Sequence, residues 1–181
     1  MTYKHFAADG CSQLGSKPGT GTIFMETIVI AQFNIGKIRY PLDDPRMKDF
    51  VDNINLVHKV AENIGGLIHR IQDESGNALN IKLYDDPNIV PNLTVWKDVD
   101  TLKRFVYNTV HRNFMNRRSE WFLPVAGPKN VMWYVDYIPV MQEGVERLEY
   151  LTKFGNSSVA FDFDYLNGML EVLNDQSNCT I

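Results

Sequence analysis

The sequence predicts an α+β domain: one antiparallel sheet with its two main helices on the same face. Three observations lead there. β-branched, largely apolar runs such as ETIVIAQFNIGKI and NVMWYVDYI alternate with stretches of helical periodicity. Turn-forming residues gather between them, as in RYPLDDPRM and DESGNA. The chain has 181 residues, 44% of them hydrophobic, which suffices for one buried core and argues against a second full domain.

Residues 1–24 are rich in Gly, Ser and Thr and lack periodicity, so they are expected to form a flexible leader to a domain at 25–165, with a tail at 166–181. From Glu26 the first strand puts Gln32 and Asn34 on one face and Phe33 and Ile35 on the other. Asp44 caps a helix with Pro45 at its first position, and Phe50, Ile54, Val57, Ala61 and Ile64 recur at helical spacing until Gly65-Gly66 stops it. GLIHRIQDE reads as a second strand and NLTVWKD as a third. Asp98 then caps a long helix from about Val99 to Phe122, closed by Pro124. NVMWYVDYI is the fourth strand, and MQEGVERLEYLTKFG is a further helix with a glycine stop at Gly155. AFDFDYLNGMLEVL adds a short extended piece and another helical segment.

This order is the ferredoxin-like βαββαβ arrangement with an extra C-terminal helix. Such a sheet leaves one face uncovered. Ile30, Leu93, Val95, Val131 and Trp133 carry more apolar surface than one helical layer hides, so a homodimer packed sheet to sheet is expected.

Several functional classes find no support. Lys plus Arg number 18 against 22 Asp plus Glu, a net charge of -4 without a basic tract, so nucleic acid is not an expected partner. Cys11 and Cys179 sit in the terminal segments, which argues against a disulfide scaffold or a Cys-ligated metal. There is no HExxH or CxxC for a metal and no GxGxxG or GxxxxGKS loop for a nucleotide. The N-terminus has no apolar core of the signal-peptide kind and no window reaches membrane-span length, so a cytoplasmic protein is expected. His58 and His69, the latter beside Arg70, are taken as surface or structural residues, and Asn92-Leu93-Thr94 as a chance glycosylation triplet.

The chemistry is expected on the long helix. Tyr107, His111, Phe114, Arg118 and Trp121 are spaced 4, 3, 4 and 3, which places them in one narrow arc beside the apolar arc of Leu102, Val106 and Val110. A mixed stripe at the edge of a helix lying over a sheet looks into the gap between them, where small-molecule pockets form. His111 can exchange a proton near neutral pH, Arg118 can hold an anion and Tyr107 can donate to an oxyanion.

IAQFNIG, PLDDPRMKDFV, NLTVWKDVDTLKRFVY, HRNFMNRRSEWF, VMWYVDYIP and AFDF together resemble a family of bacterial and fungal proteins known as a domain of unknown function, related to the antibiotic-biosynthesis monooxygenases. The resemblance runs from about Thr27 to Phe163. It implies a dimeric α+β barrel. The wider superfamily holds cofactor-independent oxygenases, haem-degrading and haem-dependent enzymes, and cyclases or isomerases of natural-product pathways, so the resemblance narrows the fold more than the reaction.

The expected function is a small enzyme that transforms an apolar, oxygen-bearing natural-product type of molecule without a metal or nucleotide cofactor, as a monooxygenase or as a cyclase, isomerase or dehydratase. His111 would be the general acid or base, Arg118 would stabilise an enolate or carboxylate, and Tyr107 would donate a hydrogen bond. Asn34, Trp96, Phe114, Trp121 and Trp133 would contact the substrate. Two alternatives stand beside it: haem binding with His111 as axial ligand, and a non-catalytic dimeric ligand-binding module in which the stripe is structural.

Overall fold

The computed structural model describes residues 24–168, and the expected leader and tail lie almost wholly outside them. The central strand is β1 (Phe24–Ile38), which pairs antiparallel along one side with β3 (Ile89–Trp96). Its other side pairs with β5 (Asn130–Tyr137) and, farther along, with the two-residue β4 (Phe122–Leu123). The short β2 (Leu67–Arg70) lies outside β3. The result is an open antiparallel sheet of five strands in a mixed α+β fold, running β2, β3, β1, then β5 and β4 end to end.

Both faces of this sheet are covered. Alternation along β1 sends Val29, Ala31, Phe33 and Ile35 to one side. There they meet Met141, Val145, Leu148 and Leu151 of α4 (Met141–Phe154), residues three and four apart and therefore on one stripe of the helix. Helix and strand approach closely at Gly144, where an added Cβ would collide with the Phe33 ring. Leu93, Val95, Val131 and Trp133 belong to this α4-covered core, and Ile30 to the opposite face. Of the apolar surface expected to seat a second subunit, Leu93, Val95, Val131 and Trp133 thus pack with α4 of the same chain, and Ile30 packs under the helices of the other face.

The other face carries α1 (Lys48–Asn63), α2 (Val99–Asn108) and α3 (His111–Trp121). Asp44 accepts the Arg46 N–H at 2.9 Å ahead of a 3-10 turn, Pro45–Met47, that leads into α1. Beyond α1, Gly65 and Gly66 have φ of +76° and +99°, a conformation that side chains with a Cβ resist. Asp98 caps α2 by accepting the Thr101 N–H at 2.7 Å. The single helix expected over 99–122 is instead two. Thr109 is extended (φ -128°, ψ -176°), and its hydroxyl both donates to the Phe105 carbonyl at 2.6 Å and accepts the His111 N–H at 3.1 Å. One β-branched hydroxyl residue thus ends α2 and starts α3, a local competition that apolar periodicity does not register.

Candidate functional site

The helical face of the sheet is not one continuous core. At one end Ile30, Trp96, Met132 and Phe161 pack with Ala61 of α1 and Leu102 of α2. At the other, Ile38, Val90, Met47 and Trp121 form a second cluster, joined by Phe50, Phe114 and Phe122. The intervening rows of the sheet are polar. Asn92, Asn34 and Asn130 are cross-strand partners on β3, β1 and β5, and Arg70, Thr94 and Gln32 form the next row on β2, β3 and β1. Cross-strand partners share a face, so these six side chains form one polar strip under the helices.

A hydrogen-bonded chain ties part of the strip together. The Trp96 indole N–H donates to Thr94 Oγ1 at 2.9 Å, and that hydroxyl donates to Gln32 Oε1 at 3.1 Å. Gln32 Nε2 donates at 3.2 Å to Asn34 Oδ1, which also accepts from Asn92 Nδ2 at 3.0 Å. With its oxygen doubly engaged, Asn34 keeps an amide donor that no described residue accepts. Asn130 Oδ1 is buried without a partner among the described residues. Gln32, Asn34, Asn92 and Asn130 lie on β1, β3 and β5 and are only half-buried, so the helical layer does not seal the sheet above them.

The element over the strip is α1. Its first half packs into one apolar cluster through Phe50 and Val51 and its last turns into the other through Ala61 and Ile64. Ile54 and Val57, between those anchor points, are half-buried and belong to neither cluster. His58 lies on the same stretch. Its Nδ1 is buried without a partner, and burial together with the nearby Arg70 charge pushes its pKa down to about 4, so the ring is neutral at neutral pH.

The residues expected to do chemistry lie in different surroundings. Because the helix is interrupted at Thr109, Tyr107 is no longer one turn before His111; it is 46% exposed and meets Phe163 edge-on. His111 packs at a tilt against Phe105 at 4.7 Å, and Phe105 stacks on Trp96 at 5.1 Å, so its ring caps an aromatic column at the end of the strip. Its Nδ1 lies 3.3 Å from the Val106 carbonyl, and burial lowers its pKa while that carbonyl partly offsets the effect. Arg118 is exposed and donates to the Met115 carbonyl at 3.0 Å. Trp121 is buried in the cluster at the far end, against Phe114 and Phe50. Trp133 is on the opposite face of the sheet, in the α4 core, and cannot share a wall with Trp96. Asn34 and Trp96 are brought together, through Gln32 and Thr94.

Sequence reasoning did not single out Asn92, Thr94, Asn130 or Arg70, and it read His58 as a surface or structural residue. A signal existed in the strand alternation: N-L-T-V places polar residues at the two middle positions of β3 on this face, opposite Gln32 and Asn34 of β1. The polar groups of the open groove along α4 differ in kind. There Tyr137 OH donates to Glu143 at 2.8 Å and Arg147 pairs with Glu143 at 3.1 Å and with the Val159 carbonyl at 2.9 Å, so they satisfy one another.

The family described as a domain of unknown function (DUF3291) matches residues 29–170. Among solved structures the chain is similar to NE2512, a protein of unknown function from Nitrosomonas europaea, at 10% identity over 62% of this chain and 92% of that one, with a TM-score of 0.39. No curated protein matches it. No helix among the described residues is long and apolar enough to cross a membrane.

Proposed function

This chain belongs to the family described as domain of unknown function DUF3291, and from that premise we propose that it is a small enzyme holding an apolar, oxygen-bearing molecule between α1 and the sheet. The reaction is a cofactor-independent oxygenation or an isomerisation, cyclisation or dehydration, as in the antibiotic-biosynthesis monooxygenase relatives whose ferredoxin-like architecture the strand order β2-β3-β1-β5 supports. No metal or nucleotide takes part.

One observation carries this reading. The centre of a sheet under helices is where β-branched and aliphatic residues belong, and this chain places Asn92, Asn34, Asn130, Thr94 and Gln32 there, between two aromatic clusters. Half-buried carboxamides with unused donors and acceptors, walled by apolar groups, are the ordinary make-up of a small-molecule site. The proton-handling role passes from His111 to His58, an imidazole of mid-α1 whose Nδ1 is buried without a partner among the described residues. Asn34 Nδ2 is the donor available to a substrate oxygen that gains charge when the proton leaves.

The test is a ligand screen by protein NMR with fused-ring phenols, quinones and aryl ketones against the wild type and Asn34→Leu. Shifts clustered on β1, β3 and mid-α1, lost in a folded Asn34→Leu, are expected. A panel that leaves those resonances still, or binding that persists unchanged in the variant, overturns the assignment.

A further inference from the structure

Arg70 is the last residue of β2, in register with Thr94, which sets its side chain on the strip's face at the edge of the sheet. It is a cation held largely out of solvent, with 12% of its side chain exposed. Its hydrogen bonding is incomplete. Nη1 donates to the Gly76 carbonyl at 2.9 Å and Nη2 to Glu62 Oε1 at 3.1 Å, while the Nε–H is buried and donates to nothing described. The Glu62 contact is end-on through one oxygen, and that carboxylate is itself 52% exposed, so it screens the guanidinium only in part. Glu62 also fixes the location: it is one helical turn after His58, so Arg70 spans from the sheet to the part of α1 that carries the unpartnered imidazole.

A guanidinium presents its donors as a planar fork matched to two oxygens of one carboxylate. With its Nε–H unused and its partner Glu62 one helical turn beyond His58, whose Nδ1 is also buried without a partner among the described residues, the geometry points to a carboxylate as the group this position is built to receive. Resting on the reading that the strip binds a small molecule, we propose that the substrate is an aromatic or polycyclic carboxylic acid whose carboxylate is anchored by Arg70. Its ring body lies along the Gln32 and Asn34 rows. His58, beside the anchor, then faces the substrate atoms nearest the carboxyl end, while the carboxamides meet oxygens farther along the ring system.

The test pairs acids with their neutral esters. Binding of 2-naphthoate, 1-hydroxy-2-naphthoate and anthraquinone-2-carboxylate is measured by calorimetry and NMR beside that of their methyl esters, on the wild type, Arg70→Gln and Arg70→Lys. Arg70→Lys keeps the charge and lacks the Nε–H fork, so it serves if the glutamine variant fails to fold. At least one acid is expected to bind more tightly than its ester, and to lose about tenfold or more in affinity in a folded Arg70 variant, the size of a lost charge-assisted hydrogen bond. The ester should be indifferent to the substitution. Esters that bind the strip as tightly as acids, with no effect at Arg70, overturn the carboxylate and leave the small-molecule site standing. Failure of acids and esters alike to shift β1, β3 or mid-α1 overturns both.

Discussion

The two faces of the sheet solve the same packing problem differently. Under α4, every inward residue of β1 from Val29 to Ile35 is apolar and buried, and the helix comes so near that Gly144 has room only for a hydrogen against Phe33. Under α1, α2 and α3, apolar contact is confined to the two ends of the sheet, and the middle is given to carboxamides. One face holds the fold together. The other carries solvent-accessible polar groups at the place where a fold gains most from burying apolar ones, a departure expected of a functional surface.

The largest effect that should separate the faces comes from Phe33→Ala. It empties a fully buried ring site beneath α4 and is expected to cost about 3–5 kcal/mol, read from urea unfolding midpoints. Gly144→Ala probes the same contact from the helix, pressing a methyl into the ring, with an expected cost of about 1–3 kcal/mol. The matching change on the other face should be mild. Asn34→Leu combined with Asn92→Leu removes a donor and its acceptor together, and is expected to leave stability within about 1 kcal/mol or to raise it. A double variant that unfolds as readily as Phe33→Ala would make the strip an ordinary structural network.

A smaller difference lies in acid. The folded-state pKa of His58 is depressed from 6.5 to about 4, so folded and unfolded chains bind the same protons above pH 6.5. As pH falls from there toward 4, the unfolded chain protonates first and stability declines. His58→Gln should flatten that decline between pH 7 and pH 5, with a residual slope from His111, whose pKa burial also lowers. The smallest expected effect is at Arg118. Exposed and bonded only to a carbonyl of its own helix, it should tolerate alanine within about 0.5 kcal/mol and without loss of ligand binding.

Much of this contrast was legible in the sequence. Strand alternation alone separated Gln32 and Asn34 from Phe33 and Ile35, and the caps at Asp44 and Asp98 and the glycine stops at Gly65-Gly66 and Gly155 fell where periodicity and turn chemistry put them. The site was harder to find because it is a property of register. Asn92 and Thr94 are unremarkable in β3 until they are known to face Asn34 and Gln32, and Arg70 joins them only because a bulge between Leu67 and His69 shifts the pairing of β2. The stripe on the long helix misled for the opposite reason. Regular spacing was read across Thr109, where two side-chain hydrogen bonds interrupt the helix.

Helix α1 is about 24 Å long at 1.5 Å per residue and is fixed at both ends, by Phe50 and Val51 in one cluster and Ala61 and Ile64 in the other. Mechanically it is a beam resting on two piers. What lies beneath the midspan bears no load, so residues there can be exchanged for ones of different size or polarity while the piers keep the span in place. A scaffold of this kind accepts substitutions at a few strand positions with the architecture around them left as it is.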